Sequence, residues 1–128
     1  MVVIGFILFF LSGICEAIMD TLQFHYDVSI FKKLKQQTFW NPKISWVNKY
    51  KNNDPTEGEK FFLSKSLLVG FTDAWHLFKL IRTFCIFAGI FFLFIPCVTK
   101  MNCLLYVIIA RVFFGISFTI FFNLFEDR

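Results

Sequence analysis

Charged side chains are scarce in this sequence. Asp, Glu, Lys and Arg make up 17% of the 128 residues, whereas hydrophobic residues make up 57% and Phe alone occurs 21 times. Ordinary soluble domains carry about 25% charged residues, and a chain this short has too little interior to hide so many rings from water. The composition therefore argues against a soluble domain and indicates a membrane protein.

The short motifs that identify common enzymes are also missing. The sequence contains no HExxH, no paired-aspartate signature of a lipid phosphotransferase, and no Ser or Cys with an adjacent base. The four cysteines lack metal-ligand spacing, so we interpret them as buried or idle thiols. Cys97 and Cys103 could pair if their side of the membrane is oxidising. Any function must therefore be inferred from individual polar residues.

Three apolar runs are long enough to cross a bilayer, at about residues 2–24, 66–96 and 101–125. With a rise of about 1.5 Å per residue, each covers a hydrocarbon layer of about 30 Å. Helices are expected, because a spanning segment must satisfy its own backbone hydrogen bonds. We predict an all-α integral membrane protein with three transmembrane helices, forming a single membrane domain over residues 1–128.

The first apolar run is interpreted as a retained helix rather than a cleaved signal. It has no basic start, and no A-x-A-like cleavage site follows it. Ile14, not a small residue, precedes Cys15, which argues against a lipobox. We expect this helix to continue past the membrane to about residue 35.

The distribution of lysine predicts the orientation. The long amphipathic connection between the first two helices, about residues 32–65, carries eight lysines, whereas the opposite turn carries only Lys100. The positive-inside rule places this connection and the C-terminus in the cytoplasm and the N-terminus outside. The bilayer and its anionic lipid headgroups are the expected partners. Nucleic acid is not expected, because no fold that binds it is recognisable.

Aromatic residues in the connection favour a position at the membrane surface. Trp40, Trp46 and Tyr50 alternate with Lys and Asn, and such rings prefer the headgroup layer. We interpret them as interface anchors or, alternatively, as one wall of a headgroup or substrate pocket. Thr56 and Glu59 have the spacing of a capping box, which predicts a helix start near residue 57.

Acidic and imidazole side chains are predicted to meet in the cytoplasmic half of the bilayer. Glu16 and Asp20 share one face of the first helix, and Asp73 and His76 share one face of the second. Carboxylates and imidazole can bind a divalent ion, so these four residues form a predicted metal site. Asp20, Asp73 and His76 are the predicted catalytic residues.

Basic side chains accompany this cluster. Lys79, Arg82 and Arg111 could neutralise a lipid phosphate. Alternatively, Glu16 and Arg82 lie at matching depth and could form a structural ion pair between helices. His25 lies on the opposite face of the helix from Glu16, so it could join the cluster only through a break in the helix or from another chain.

These residues are compatible with an enzyme, a scaffold or a transporter. One hypothesis is a metal-dependent enzyme acting on a lipid headgroup or phosphate at the cytoplasmic interface. One alternative is a non-enzymatic scaffold or accessory subunit of a larger complex. Another is an oligomeric transporter or channel, in which the acidic face of the first helix, with Glu16 and Asp20, lines a pore. Partner membrane proteins or further copies of the chain are expected in the last two cases, although no GxxxG dimer motif is present.

Overall fold

The computed structural model describes residues 1–96 and 99–126, and within these ranges the chain is all-helical, with no β-strand. Three long helices are α1 (Val2–Phe24), α4 (Ala74–Phe94) and α5 (Lys100–Phe125). Two single-turn helices lie between α1 and α4 in the sequence, α2 (Gln37–Trp40) and α3 (Pro42–Ser45). The remaining helical segments are 3-10 turns at Tyr26–Val28, Ile30–Lys33, Trp46–Lys49, Lys51–Asn53 and Val69–Phe71.

Each of the three long helices is apolar enough and long enough to cross a membrane. This confirms the predicted all-helical class with three such helices. Many large apolar side chains on α4 and α5 face outward, including Phe84, Phe87, Phe91 and Leu104, each more than half exposed. Exposed apolar side chains therefore run along both α4 and α5, and others lie on α1, such as Val3 and Ile7.

Helix α1 is the central element of the bundle. Helix α4 packs antiparallel to α1 and α5 packs parallel to it, whereas α4 and α5 make few direct contacts within the described ranges. Close approach depends on glycine: a Cβ atom at Gly5 would lie 2.6 Å from Leu93 Cδ2 of α4, and one at Gly13 would lie 2.0 Å from Ser117 Oγ of α5. Gly5 and Gly13 thus allow close packing between helices of the same chain.

Residues 25–73 fold into a cap over the end of the bundle where α1 ends, α4 begins and α5 ends. Phe31 stacks on Trp40 with ring centroids 5.3 Å apart and contacts Phe125 of α5 at 5.2 Å. The buried apolar cluster at this junction comprises Ile18, Leu22, Tyr26, Phe31 and Ala74. This buried cluster lies between the cap and the helix ends, close to the predicted site.

Helix α1 ends at Phe24, so the expectation of a helix to about residue 35 is wrong. His25 leaves the helical conformation with φ −126° and ψ 17°, and 3-10 turns follow. The Ser29 hydroxyl donates to the Tyr26 carbonyl at 2.9 Å, which stabilises the turn instead of another helical turn.

The predicted helix start near residue 57 is also wrong, because α4 begins at Ala74. Thr56 is not an N-cap: its backbone N–H and its hydroxyl both donate to Asp54 Oδ1, at 2.8 and 2.7 Å, in a polar turn. Gly58 has φ +83°, and Leu63 has φ +57°, a left-handed conformation that interrupts any helix. The helical part of the second apolar run is thus shorter than the sequence predicts.

Candidate functional site

A cleft opens where the cap meets the first turn of α4. Its volume is about 210 Å³, and its lining combines polar groups with indole rings: Gln23, Pro42, Ser45, Trp46, Asp73, Trp75 and His76. The predicted catalytic residues Asp73 and His76 thus share a cavity with the predicted aromatic residue Trp46. We call this cavity the His76 cleft.

Asp73 is the N-cap of α4, which explains its position. Its extended backbone, φ −156° and ψ 163°, lets Oδ1 accept a hydrogen bond from the His76 backbone N–H at 3.0 Å. This bond satisfies one of the unpaired N–H groups at the start of a helix. The side chain is almost fully buried, and Oδ2 also accepts from the Thr72 hydroxyl at 3.1 Å. The carboxylate is therefore held in one orientation.

The same carboxylate orients the His76 ring. Asp73 Oδ2 lies 2.6 Å from His76 Nδ1, and Trp75 packs edge-on against the imidazole with centroids 5.0 Å apart. A carboxylate partner favours the tautomer with the proton on Nδ1, which leaves Nε2 with a free lone pair. The His76 side chain remains 26% exposed. This arrangement can accept a proton from a molecule bound in the cleft.

Two polar side chains that the sequence analysis did not single out contribute to the cleft. Asn48 donates through Nδ2 to the Thr38 carbonyl at 2.6 Å and the Thr72 carbonyl at 3.0 Å. These bonds hold the middle of the cap against the residue that precedes Asp73. Ser45, at the end of α3, brings a hydroxyl into the lining. No local pattern in the sequence marks either residue, because both act through contacts distant along the chain.

A second cavity lies on the other side of His76. It also measures about 210 Å³ and is lined in part by Gly70, Lys79 and Thr83. The Lys79 ammonium lies 4.9 Å from the centre of the Trp75 ring, a cation–π contact. Of the three predicted phosphate-binding cations, Lys79 is therefore the one near the His76 cleft.

The predicted pairing of Glu16 with Arg82 is confirmed. Arg82 Nη1 lies 2.6 Å from Glu16 Oε2 and joins α1 to α4. The contact is an ion pair, and Glu16 Oε2 and Arg82 Nε have no hydrogen-bond partner in the described part of the chain. Glu16 is thus engaged in holding the helices together.

The four predicted metal ligands are not gathered into one group. Asp73 and His76 meet in the cleft, Glu16 contacts Arg82, and Asp20 makes no hydrogen bond or ion pair with the described residues. Within residues 1–96 and 99–126, no three His, Cys, Asp or Glu side chains lie close enough to hold an ion together. Metal binding stays a prediction.

The remaining predicted residues lie in different places. Trp40 packs against the buried cluster, Trp46 is 48% exposed, and Tyr50 contacts Trp46 edge-on at 6.3 Å. Their depth in a membrane stays a prediction. Arg111 lies on α5 in another cavity, with its guanidinium 5.4 Å from the centre of the Phe114 ring. A pairing of Cys97 with Cys103 falls on a residue outside the described ranges.

One ion pair joins the cap to the end of α5, and another lies within the cap. His25 Nδ1 lies 3.0 Å from Glu126 Oε1, which links the end of α1 to the end of α5 and gives His25 a structural role. Lys43 donates to Asp27 Oδ2 at 2.8 Å, and this hydrogen bond lowers the pKa of the Asp27 carboxyl. The Asp54 carboxyl also has a lowered pKa, because the Thr56 backbone N–H donates to it.

Comparisons of the chain with protein-family models, curated proteins and solved structures find no match. What the fold defines is a class: an all-helical protein with three helices that could span a membrane. The chemistry of the His76 cleft is therefore the starting point for its function.

Proposed function

We propose that the chain is an integral membrane protein with α1, α4 and α5 across the bilayer and the cap at the cytoplasmic surface. Support comes from the apolar side chains exposed along α4 and α5, which water would disfavour and lipid would solvate. All eight lysines of residues 32–65 lie in the cap, as expected for a cytoplasmic segment. The His76 cleft, at the ends of the helices, would then lie at headgroup depth.

On this basis the protein is an enzyme that acts on a phosphate-containing lipid headgroup, with His76 as the general base. The observation that carries this proposal is the Asp73–His76 pair, a buried carboxylate 2.6 Å from an imidazole that faces a cleft. A merely solvated histidine would not need this fixed orientation. Trp46 and Trp75 give the cleft apolar walls with polar edges, which suit the boundary between headgroups and chains.

In the proposed reaction, water attacks the phosphorus atom of the headgroup ester. The water proton moves to His76 Nε2, a new P–O bond forms, and the bond to the leaving alkoxide breaks. The imidazolium then returns the proton to the alkoxide, so the ring is regenerated. Asp73 stabilises the imidazolium while it exists. Lys79 lies close enough to this region to offset charge on the phosphate.

A divalent ion is part of the proposal. Asp73 would supply a carboxylate ligand and phosphate oxygens and water the others, as is usual for Mg²⁺, because His76 Nε2 must stay free to act as the base. An ion bound in this way would polarise the phosphate and favour attack by water. Adding EDTA to the activity assay, then restoring Mg²⁺ or Mn²⁺, tests this requirement separately from the role of His76.

The test compares the two histidines of the chain. The purified protein is reconstituted into vesicles containing phosphatidylglycerol, phosphatidylethanolamine and phosphatidylcholine, and products are followed by ³¹P NMR. We expect His76→Gln to lower turnover by about 100-fold or more, since a general base contributes about 10²–10⁴-fold. His25→Gln is the matched control, because His25 pairs with Glu126 and does not line the cleft.

Asp73→Asn separates the catalytic from the structural role of the carboxylate. Asn is as good an N-cap as Asp, so the thermal stability should change little. Turnover should still fall strongly, because a neutral amide cannot stabilise the imidazolium. Failure of the wild type to convert any of the three lipids, or full activity of His76→Gln, would refute the enzymatic proposal.

A further inference from the structure

A second cleft separates α4 from α5. Because both helices pack on α1 and hardly touch each other, they leave a space of about 640 Å³ along their length. Its walls include Phe9 of α1, Ile90 and Phe94 of α4, and Val107 and Phe114 of α5. The lining is apolar except for Arg111, and we call this space the Arg111 cleft.

Arg111 has no anionic partner in the described part of the chain. Its side chain is exposed, and its contact is with the Phe114 ring of its own helix. Arg82, the other arginine on the long helices, is paired with Glu16. The difference matters because an unpaired guanidinium is strongly unfavourable in hydrocarbon.

The position of Arg111 along α5 argues against pairing of its guanidinium with a lipid phosphate. It lies 11 residues after the start of α5 and 14 before its end, about 16 and 21 Å along the axis. In the proposed membrane orientation, this is near the middle of the bilayer, farther from either phosphate layer than an arginine side chain extends. Acyl chains, which do reach this depth, carry no charge to pair with it.

A second copy of the chain does not supply the missing charge either. Helices α4 and α5 contain no Asp or Glu, and the acidic residues of α1 are Glu16 and Asp20. Glu16 is paired within the chain, and Asp20 lies four residues from the end of α1, only about 6 Å along the axis. Neither is available at the depth of Arg111.

We propose that the Arg111 cleft binds a transmembrane helix of a different protein, which carries a single Asp or Glu near the middle of the bilayer. The apolar walls would pack against that helix, and Arg111 would pair with its carboxylate. Pairing removes the cost of both buried charges at once, which gives the site specificity for an acidic helix. The inference rests on the proposed membrane insertion and is independent of the proposed enzymatic activity.

The test uses synthetic helices as probes. Leu-rich transmembrane peptides that carry one central Glu or one central Gln, with a dansyl acceptor at one end, are added to vesicles of phosphatidylcholine containing the full-length protein. Energy transfer from the native tryptophans reports binding. We expect the Glu peptide to bind about tenfold more tightly than the Gln peptide. Arg111→Gln should remove this preference, and Arg111→Lys should keep it.

Several outcomes would overturn the inference. Equal affinity of the wild type for the two peptides, or a preference that survives in Arg111→Gln, would show that Arg111 does not select a carboxylate. A smaller bound fraction of the Glu peptide as the density of the protein in the vesicles is raised, where simple binding predicts a larger one, would instead identify a second copy as the occupant. Carbonate extraction with vesicle flotation is run on each variant. Release of the wild type from the vesicles would refute the insertion on which the inference depends.

Discussion

Gly13 and Gly115 differ in how much space the contact between α1 and α5 leaves for a side chain. A Cβ atom at Gly13 would lie 2.0 Å from Ser117 Oγ and 2.4 Å from the Phe114 carbonyl oxygen. At Gly115 the nearest atom would be Arg111 Nη1 at 3.5 Å, an ordinary van der Waals contact. Two glycines, one on each helix, therefore differ completely in the space available for a methyl group.

We expect Gly13→Ala to destabilise the protein by about 1–3 kcal/mol, the usual cost of overpacking, since the backbone of α5 must move away. Gly115→Ala is the matched control and should leave stability unchanged or raise it by up to about 1 kcal/mol through helix propensity. Thermal unfolding in detergent, followed by circular dichroism, measures both. Equal melting temperatures for the two variants would contradict the close packing of α1 on α5.

Residue chemistry alone predicts part of the candidate site. The matching depths of Glu16 and Arg82 predict their ion pair, and the i, i+3 spacing predicts that Asp73 and His76 share a face. The spacing does not reveal that Asp73 caps a helix, because the apolar run continues on both sides of it. It also cannot place Trp46 in the same cleft, since that depends on how the cap folds.

At the scale of elements, the segment before α4 is where sequence and structure differ most. Residues 66–73 are apolar enough to resemble the start of a spanning helix, yet they belong to the cap. Ser64 explains this: its hydroxyl donates to the Lys49 carbonyl at 2.7 Å and accepts from the Lys60 N–H at 3.1 Å. The bond to Lys49 joins residues 15 apart in the sequence, so no local periodicity could predict it.

We expect Ser64→Ala to loosen the cap by about 0.5–1.5 kcal/mol, because two hydrogen bonds of its hydroxyl are lost while the Lys60 N–H still donates to the Lys49 carbonyl at 3.0 Å. The effect should be local: backbone amides in residues 49–72 should exchange faster, while those of α1 should not change. Hydrogen exchange with mass spectrometry measures this. Ser66→Ala is the control, because Ser66 is exposed and its hydroxyl makes no hydrogen bond to the described residues. The same exchange in both variants would contradict the account of the cap.

The whole molecule combines three apolar helices that the sequence predicts with a cap that it does not predict. The three apolar helices follow from composition and length, since few other structures suit such runs. The order of packing, with α1 between α4 and α5, depends on glycine contacts that have no recognised motif. The cap depends on long-range contacts such as the stack of Phe31 on Trp40. It is this cap that completes the His76 cleft.

The central claim is that a lipid phosphate enters the His76 cleft, and a solid-state NMR distance tests it most directly. The His25→Gln protein, with its one remaining histidine labelled with ¹⁵N, is reconstituted into vesicles of a non-hydrolysable phosphonate analogue of phosphatidylglycerol. The attacking water donates to Nε2 and lies against the phosphorus atom, which places phosphorus about 5–6 Å from Nε2. The account predicts ¹⁵N–³¹P dephasing at this distance, and its loss when Trp46→Glu places a negative charge in the cleft that repels the phosphate. Absence of dephasing in the His25→Gln protein would contradict the claim.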